Sequence, residues 1–265
     1  MPLKVMTDAQ RIAFETNGFL FIENALPPEE LSRVRAEAEQ AERLWDENPS
    51  LPGFRKPELS ELIGPIEYGP AIRDLLWHPR TFPIVREILG DDVSMIDNSY
   101  YITPPHTLHT HADWHHDVGL PGVFHPLSVM MVKVFFLLSD VDADGGGTAM
   151  IPGSHRLPMD FIYPEVSDPR EMPGAVQMRG AAGAAYLFNG RVYHAAMNND
   201  SDRPRKVLIY NYGHHWMKIW PGHEPSQRLR DWAAQTGDPV KMQLLGMGPA
   251  YATSLRDRSP FGCQA

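Results

Sequence analysis

Ala112-Asp113-Trp114-His115-His116-Asp117-Val118-Gly119 is the segment from which the rest of this chain is best read. It carries a His-x-Asp triplet, His115 and Asp117, among apolar and glycine neighbours. On a strand, residues two apart point to the same face, so one metal ion can take both while His116 faces away. Farther along, Phe188-Asn189-Gly190-Arg191-Val192-Tyr193-His194 offers a second imidazole, and Arg205 follows eleven positions after His194. Two imidazoles and one carboxylate are the donor set of a facial-triad Fe(II) site. Three protein ligands on an octahedral ion leave room for a chelating 2-oxo acid and for dioxygen. A buried arginine is costly unless a carboxylate meets it, and the distal carboxylate of 2-oxoglutarate would do so bidentately. Plainer readings stand beside these. In a chain of twelve histidines a His-x-Asp arises by chance, and Arg205 in Asp202-Arg203-Pro204-Arg205-Lys206 also suits a solvated basic turn.

Outward from that segment the chain reads as short strands. Residues 127–138 are the most strand-like run, rich in valine and phenylalanine. Residues 93–103, ended by Pro104-Pro105, precede the segment, and 148–151, 176–178, 184–188, 192–194 and 207–212 follow it. An acid- and glycine-rich turn spans 140–147, and Pro152-Gly153-Ser154-His155 reads as a structural turn re-aiming the chain. Short strands with little helix after Leu89 argue for a sandwich or barrel rather than a parallel sheet. The N-terminal part is helical. A helix capped by Thr7 or Asp8 stops at Asn17-Gly18, and a short buried strand covers 19–22. A longer helix opens at Pro27-Pro28-Glu29-Glu30 and runs to about Arg43, with Leu31, Val34 and Ala38 on one stripe. Residues 48–56 read as a loop, and two short helices are expected around 71–77 and 81–89. The tail holds one modest helix, 227–234. The expectation is a single domain, 1–265: a helical part over about 1–90, a β core over about 91–215 and an extension over 216–265.

Composition narrows the function classes. A formal net charge of −9 with no basic run argues against a nucleic-acid partner. No apolar segment approaches membrane-spanning length, and the first residues lead into no signal-type stretch. The single cysteine, Cys263, rules out an intrachain disulfide and suits a reducing, cytoplasmic setting. A catalytic thiol is the other reading of Cys263, with no structured context to support it.

Further candidates surround the triplet. Lys133 shares a face with Phe135 and Leu137. If that face lines the barrel, its ammonium needs an anion, either substrate or cosubstrate; the alternative is a lysine snorkelling outward. Asn98 is a candidate hydrogen-bond partner for the cosubstrate, or a turn-forming asparagine. His106, His109 and His111 crowd the approach to the triplet, where a lid or substrate contact suits them better than metal binding. His214, His215 and Trp216 follow the last core strand, near an expected pocket mouth or simply packed on the core.

The sequence resembles the phytanoyl-CoA dioxygenase-like family of iron- and 2-oxoglutarate-dependent oxygenases. The resemblance runs through Phe14-Glu15-Thr16-Asn17-Gly18-Phe19-Leu20-Phe21-Ile22-Glu23-Asn24, Trp114-His115-His116-Asp117 and Gly145-Gly146-Gly147-Thr148-Ala149-Met150-Ile151-Pro152-Gly153-Ser154-His155. It ends in Leu187-Phe188-Asn189-Gly190-Arg191-Val192-Tyr193-His194 and Asp202-Arg203-Pro204-Arg205. It implies a mainly β fold with flanking helices, a cupin-like double-stranded β-helix (jelly roll), with iron on His115, Asp117 and His194. It also implies that Arg205, rather than Arg203, holds the cosubstrate. Two departures stand out. His194 is followed by Ala195-Ala196, which removes a possible hydroxyl contact to the cosubstrate. Phe135 occupies a strand position where relatives often carry tryptophan. A small residue replaces the aspartate in related halogenases, so Asp117 argues against halogenation. The implied activity is hydroxylation of an unactivated C–H of a small organic molecule, with release of succinate and CO2; desaturation, epoxidation and cyclisation use the same chemistry. The substrate class stays open among secondary metabolites, amino acids and acyl derivatives. Two other classes remain at this point: a metal-dependent cupin-like isomerase or dioxygenase without 2-oxoglutarate, and a non-catalytic jelly-roll binding protein.

Overall fold

The protein was analysed as a computed structural model that describes residues 4–108, 113–118 and 128–248. His109, His111, Leu127 and Cys263 lie outside them. In chain order the elements are α1 (Asp8–Asn17), β1 (Phe19–Ile22), α2 (Pro28–Glu47), β2 (Gly53–Arg55), β3 (Ser60–Ile63), α3 (Pro70–Asp74), α4 (Phe82–Leu89) and β4 (Val93–Thr103). Then come β5 (Met131–Leu137), β6 (Thr148–Met150), β7 (Val176–Gln177), β8 (Ala185–Asn189), β9 (His194–Ala196), β10 (Arg205–His214), α5 (Gln227–Thr236) and α6 (Pro239–Leu244).

Seven strands pair in the order β1-β8-β5-β10-β4-β3-β2, and three more in the order β7-β6-β9, every pairing antiparallel. The result is a jelly roll with helices flanking its larger sheet. β5 lies in the middle of that sheet and is buried along its whole length, which explains an unbroken apolar run in place of alternation. Its side chains still alternate in destination. Val132, Val134 and Phe136 join Leu187, Leu208 and Tyr210 in the core beneath the helices. Phe135 and Leu137 join Tyr186, Phe188, Val207 and Ile209 inside the barrel. Lys133 falls on the inner face with them.

The helical layer is docked by apolar and polar contacts together. α2 buries Leu31, Val34, Ala38, Ala41 and Trp45. Two buried phenols of β10 find acceptors in the helical segment: Tyr210 donates to the Ile72 carbonyl at 2.6 Å and Tyr212 to the Leu76 carbonyl at 2.8 Å. α1 opens on a reciprocal capping box between Thr7 and Gln10 and stops at Gly18, whose φ of 86° is the left-handed conformation glycine tolerates. A Cβ there would come within 2.5 Å of the His155 ring and Val192. That close approach seats β1 beside β8 and the turn that leads to His194.

Four expectations need correcting. The loop expected over 48–56 contains β2, which pairs with β3 and so adds two strands to the sheet. The strand expected from 127 begins, among the described residues, at Met131. The strand expected over 192–194 begins only at His194, because Asn189 first closes a turn through the backbone N–H groups of Arg191 and Val192. The tail carries a second helix, α6, capped by Asp238. No helix among the described residues is long and apolar enough to cross a membrane.

Candidate metal centre

His194 opens β9, and across the free edge of that strand sits His115. The two residues exchange both backbone hydrogen bonds, each N–H reaching the other's carbonyl at 3.0 Å. Residues paired in this way project their side chains to one face, and the ring centroids are 4.3 Å apart. Each ring is oriented by a carbonyl two residues earlier: Asp113 O for His115 Nδ1 and Val192 O for His194 Nδ1, both at 2.8 Å. A carbonyl only accepts, so Nδ1 carries the proton and Nε2 keeps its lone pair free.

Asp117 reaches the same place by another route than expected. His115 makes an isolated bridge, not part of a longer strand, and the chain bends at Asp117, whose N–H donates to the Gly190 carbonyl at 2.9 Å. The carboxylate oxygens lie 3.7 Å from His115 Nε2 and 3.5 Å from His194 Nε2. One ligand atom from each of the three residues lies within 4.8 Å of the others. His116 does turn away, its Nδ1 bonded to the Arg191 carbonyl at 2.7 Å and its ring against Tyr193 and Tyr163.

The donor set fits a divalent metal. Asp117 Oδ2 is buried without a hydrogen-bond partner, and two imidazole lone pairs face it. Lone pairs gathered in this way repel unless a cation lies between them, and nitrogen, nitrogen and carboxylate oxygen with open positions suit Fe(II). Electrostatics keep Asp117 and His194 ready to ligate. Burial pushes the Asp117 carboxyl up, but the Lys133 ammonium outweighs it and holds the group well below the usual carboxylate range. Burial pushes His194 down to about 3, so its ring is neutral.

Lys133 lies inside the barrel, 8% exposed, and the anion it meets among the described residues is Asp117. Its Nζ donates to Asp117 Oδ1 at 2.8 Å. Burial alone would lower its pKa, yet Asp117 and Asp97 raise it. Arg205, the first residue of β10, is buried; its Nη2 donates to Thr148 Oγ1 at 3.2 Å and Tyr186 Oη at 3.3 Å. Its Nε has no partner. Both contacts are neutral, so this buried cation lacks a carboxylate among the described residues. Asn98 is elsewhere. It lies on the helix-facing side of β4, where its Oδ1 accepts from Ile66 N at 3.3 Å and its Nδ2 meets Met95 Sδ. Alternation along β4 puts Asp97, not Asn98, on the barrel side.

A cleft with two lobes opens beside the triad. The larger, about 330 Å³, is lined by Arg205, Thr148, Thr103, Phe135 and His194 among others. The smaller, about 150 Å³, is lined by Glu61, Asp97, Asp117, Asn211, Trp220 and His223 among others. Tyr101, His115, Lys133 and Ile209 belong to both. Sequence reasoning passed over Thr148, Tyr186, Glu61, Asp97, Asn211, Trp220 and His223. A signal existed for some of them: Asp97, Ser99, Tyr101 and Thr103 alternate along a buried strand, which marks a polar stripe on its inner face. His106, His214, His215 and Trp216 line neither lobe. His106 faces Asp202 at 2.9 Å, His214 the Val129 carbonyl at 3.1 Å and His215 the Ser94 hydroxyl at 3.0 Å. The Pro152–His155 turn is structural as expected: Ser154 Oγ accepts from the Tyr193 N–H at 2.8 Å and so aims the chain into His194.

Known proteins place the chain by family and by fold. A family model described as phytanoyl-CoA dioxygenase matches residues 14–207. The chain is 26% identical over 234 residues to an ectoine dioxygenase of Nocardia farcinica, covering 76% of each. Among solved structures, HygX from Streptomyces hygroscopicus with nickel, 2-oxoglutarate and hygromycin B bound superposes with a TM-score of 0.67 at 17% identity, over 83% of this chain and 93% of that one. The carbocyclase SnoK from nogalamycin biosynthesis gives a TM-score of 0.64 at 21% identity, over 81% and 87%. At these identities the structural likeness speaks for the fold.

Proposed function

This chain belongs to the phytanoyl-CoA dioxygenase family, and from that premise we propose that it is an Fe(II)- and 2-oxoglutarate-dependent oxygenase acting on a C–H bond of a small organic molecule. The observation that supports this most is the meeting of His115, Asp117 and His194 ligand atoms within 4.8 Å, with an uncompensated buried guanidinium in the adjoining lobe. His115, Asp117 and His194 would hold the metal, and Arg205 would receive the distal carboxylate of 2-oxoglutarate, with Thr148 and Tyr186 fixing its fork. Fe(II) supplies the activation of dioxygen, coupling conversion of 2-oxoglutarate to succinate and CO2 with oxidation of the substrate.

The chain's own residues supply order. The carbonyls of Asp113 and Val192 lock both imidazoles in the ligating tautomer. Lys133 keeps Asp117 ionised and steers one of its oxygens, leaving the other free. Phe135 and Ile209 give the cleft dry walls that exclude water from the reacting groups. A cosubstrate-free cupin reading has no use for Arg205, because it leaves a buried cation without a carboxylate. The test is succinate formation from 2-oxoglutarate with Fe(II) and ascorbate. We expect turnover by the unsubstituted chain and a loss of roughly a hundredfold or more in His115→Ala, in line with the cost of removing a group that organises catalysis. Equal succinate from both proteins would sink the assignment.

A further inference from the structure

The two lobes differ in sign. The larger offers the Arg205 guanidinium, with Asp113 at its exposed rim; the smaller gathers Glu61, Asp97 and Asp117 around one ammonium, Lys133. That ammonium is bonded to Asp117, so Glu61 and Asp97 carry no ion pair of their own among the described residues. Both are nearly enclosed, 8% and 3% exposed. Glu61 accepts from the Ser99 hydroxyl at 2.5 Å and from the Tyr101 hydroxyl. Asp97 accepts on both oxygens from one donor, Asn211 Nδ2, at 2.7 and 2.6 Å. That use of the Asn211 amide nitrogen leaves its Oδ1 buried and without a partner, in a side chain only 2% exposed that lines the lobe. The register of β4 against β10 slips just after Asn211, the kind of irregularity that re-aims a side chain next to a site.

We propose that this smaller lobe is the substrate's and that it receives a protonated amine. The inference rests on the oxygenase reading above and adds the substrate's chemical class. Deep on the lobe's wall Glu61 and Asp97 present carboxyl oxygens, and Asn211 presents a buried amide oxygen that has no donor. An enclosed acceptor without a donor, as Asn211 Oδ1 is, costs stability, and an ammonium group brings three N–H donors and one positive charge to the same point. Ile209 and the rings of Tyr101 and Trp220 supply walls for the carbon frame that carries it. The same charges sort the two small molecules. A 2-oxoglutarate dianion is repelled by the Glu61 carboxylate and drawn to Arg205, while a cation meets the reverse preference.

Three probes of one shape test this: cyclohexylamine, cyclohexanol and cyclohexanecarboxylate, titrated by saturation-transfer NMR into protein with and without Ni(II) and 2-oxoglutarate. The amine should bind roughly tenfold or more tighter than the alcohol, the usual scale for a hydrogen bond to a charged group. Glu61→Gln should remove about that factor for the amine and leave the alcohol unchanged. If that variant does not fold, Asp97→Asn carries the same comparison. Equal affinity for amine and alcohol, preference for the carboxylate, or amine binding indifferent to both substitutions would overturn the proposal. Succinate formation measured without probes reports the oxygenase reading separately. A chain that makes succinate yet ignores the amine loses only this inference, and one that prefers the amine but makes no succinate loses only the other.

Discussion

Lys133 and Asp117 form a buried pair whose balance depends on the metal. The ammonium stands 2.8 Å from the carboxylate, with both side chains nearly out of contact with water. Deleting one partner of such a pair leaves an uncompensated charge and costs about 3–5 kcal/mol. A divalent ion on Asp117 restores the missing positive charge. Lys133→Met should therefore lower the Tm of the metal-free protein clearly more than that of the Ni(II)-loaded protein, as read by calorimetry. Equal losses in both would mean that the lysine acts through packing alone. At this scale the sequence was half informative. Alternation along β5 puts Lys133 on the inner face with Phe135, but its partner comes from a bend elsewhere in the chain, and no local pattern records that.

Among the elements, α1 is tied down from outside. Glu87 in α4 accepts the N–H groups of Val5 and Met6 at 2.6 and 2.7 Å and the Arg11 guanidinium. Burial pushes the Glu87 carboxyl up, and these donors more than offset it, leaving its pKa below the ordinary glutamate value of 4.5. A carboxyl whose folded pKa is depressed stabilises the fold above its unfolded pKa and loses that contribution as pH falls through the folded value. Melting curves of the parent and Glu87→Gln should thus be well separated near pH 6 and converge below about pH 4.5. A gap unchanged from pH 6 to pH 3 would show that the carboxylate charge is irrelevant. The ends of α1 were readable from Thr7 and Gly18, because caps are local chemistry. β2 and β3 were not: three and four residues long, they take their extended form from pairing through β3 with β4.

For the molecule as a whole, the metal ligands come from two separated stretches joined by a few backbone contacts, the His115–His194 bridge and the Asp117 N–H on the Gly190 carbonyl among them. An ion bound by both ties them together and is linked to global folding. Ni(II) at about a hundredfold over its Kd should add about 2.7 kcal/mol of stability, visible as a higher Tm, and His194→Ala should abolish most of it. A Tm indifferent to Ni(II) would mean that the three ligand atoms hold no ion. What the sequence determined by itself was whatever depends on near neighbours: caps, strand alternation, turn residues, and the spacing of His115, Asp117, His194 and Arg205. The tertiary structure decided the rest, namely which anion Lys133 meets, why Asp97 and not Asn98 faces the barrel, and how Glu61 from β3 joins Asn211 from β10 across the intervening β4. Those contacts bring together residues far apart in the chain, and burial sets their electrostatics by removing water, a condition that exists only once the sheets have closed.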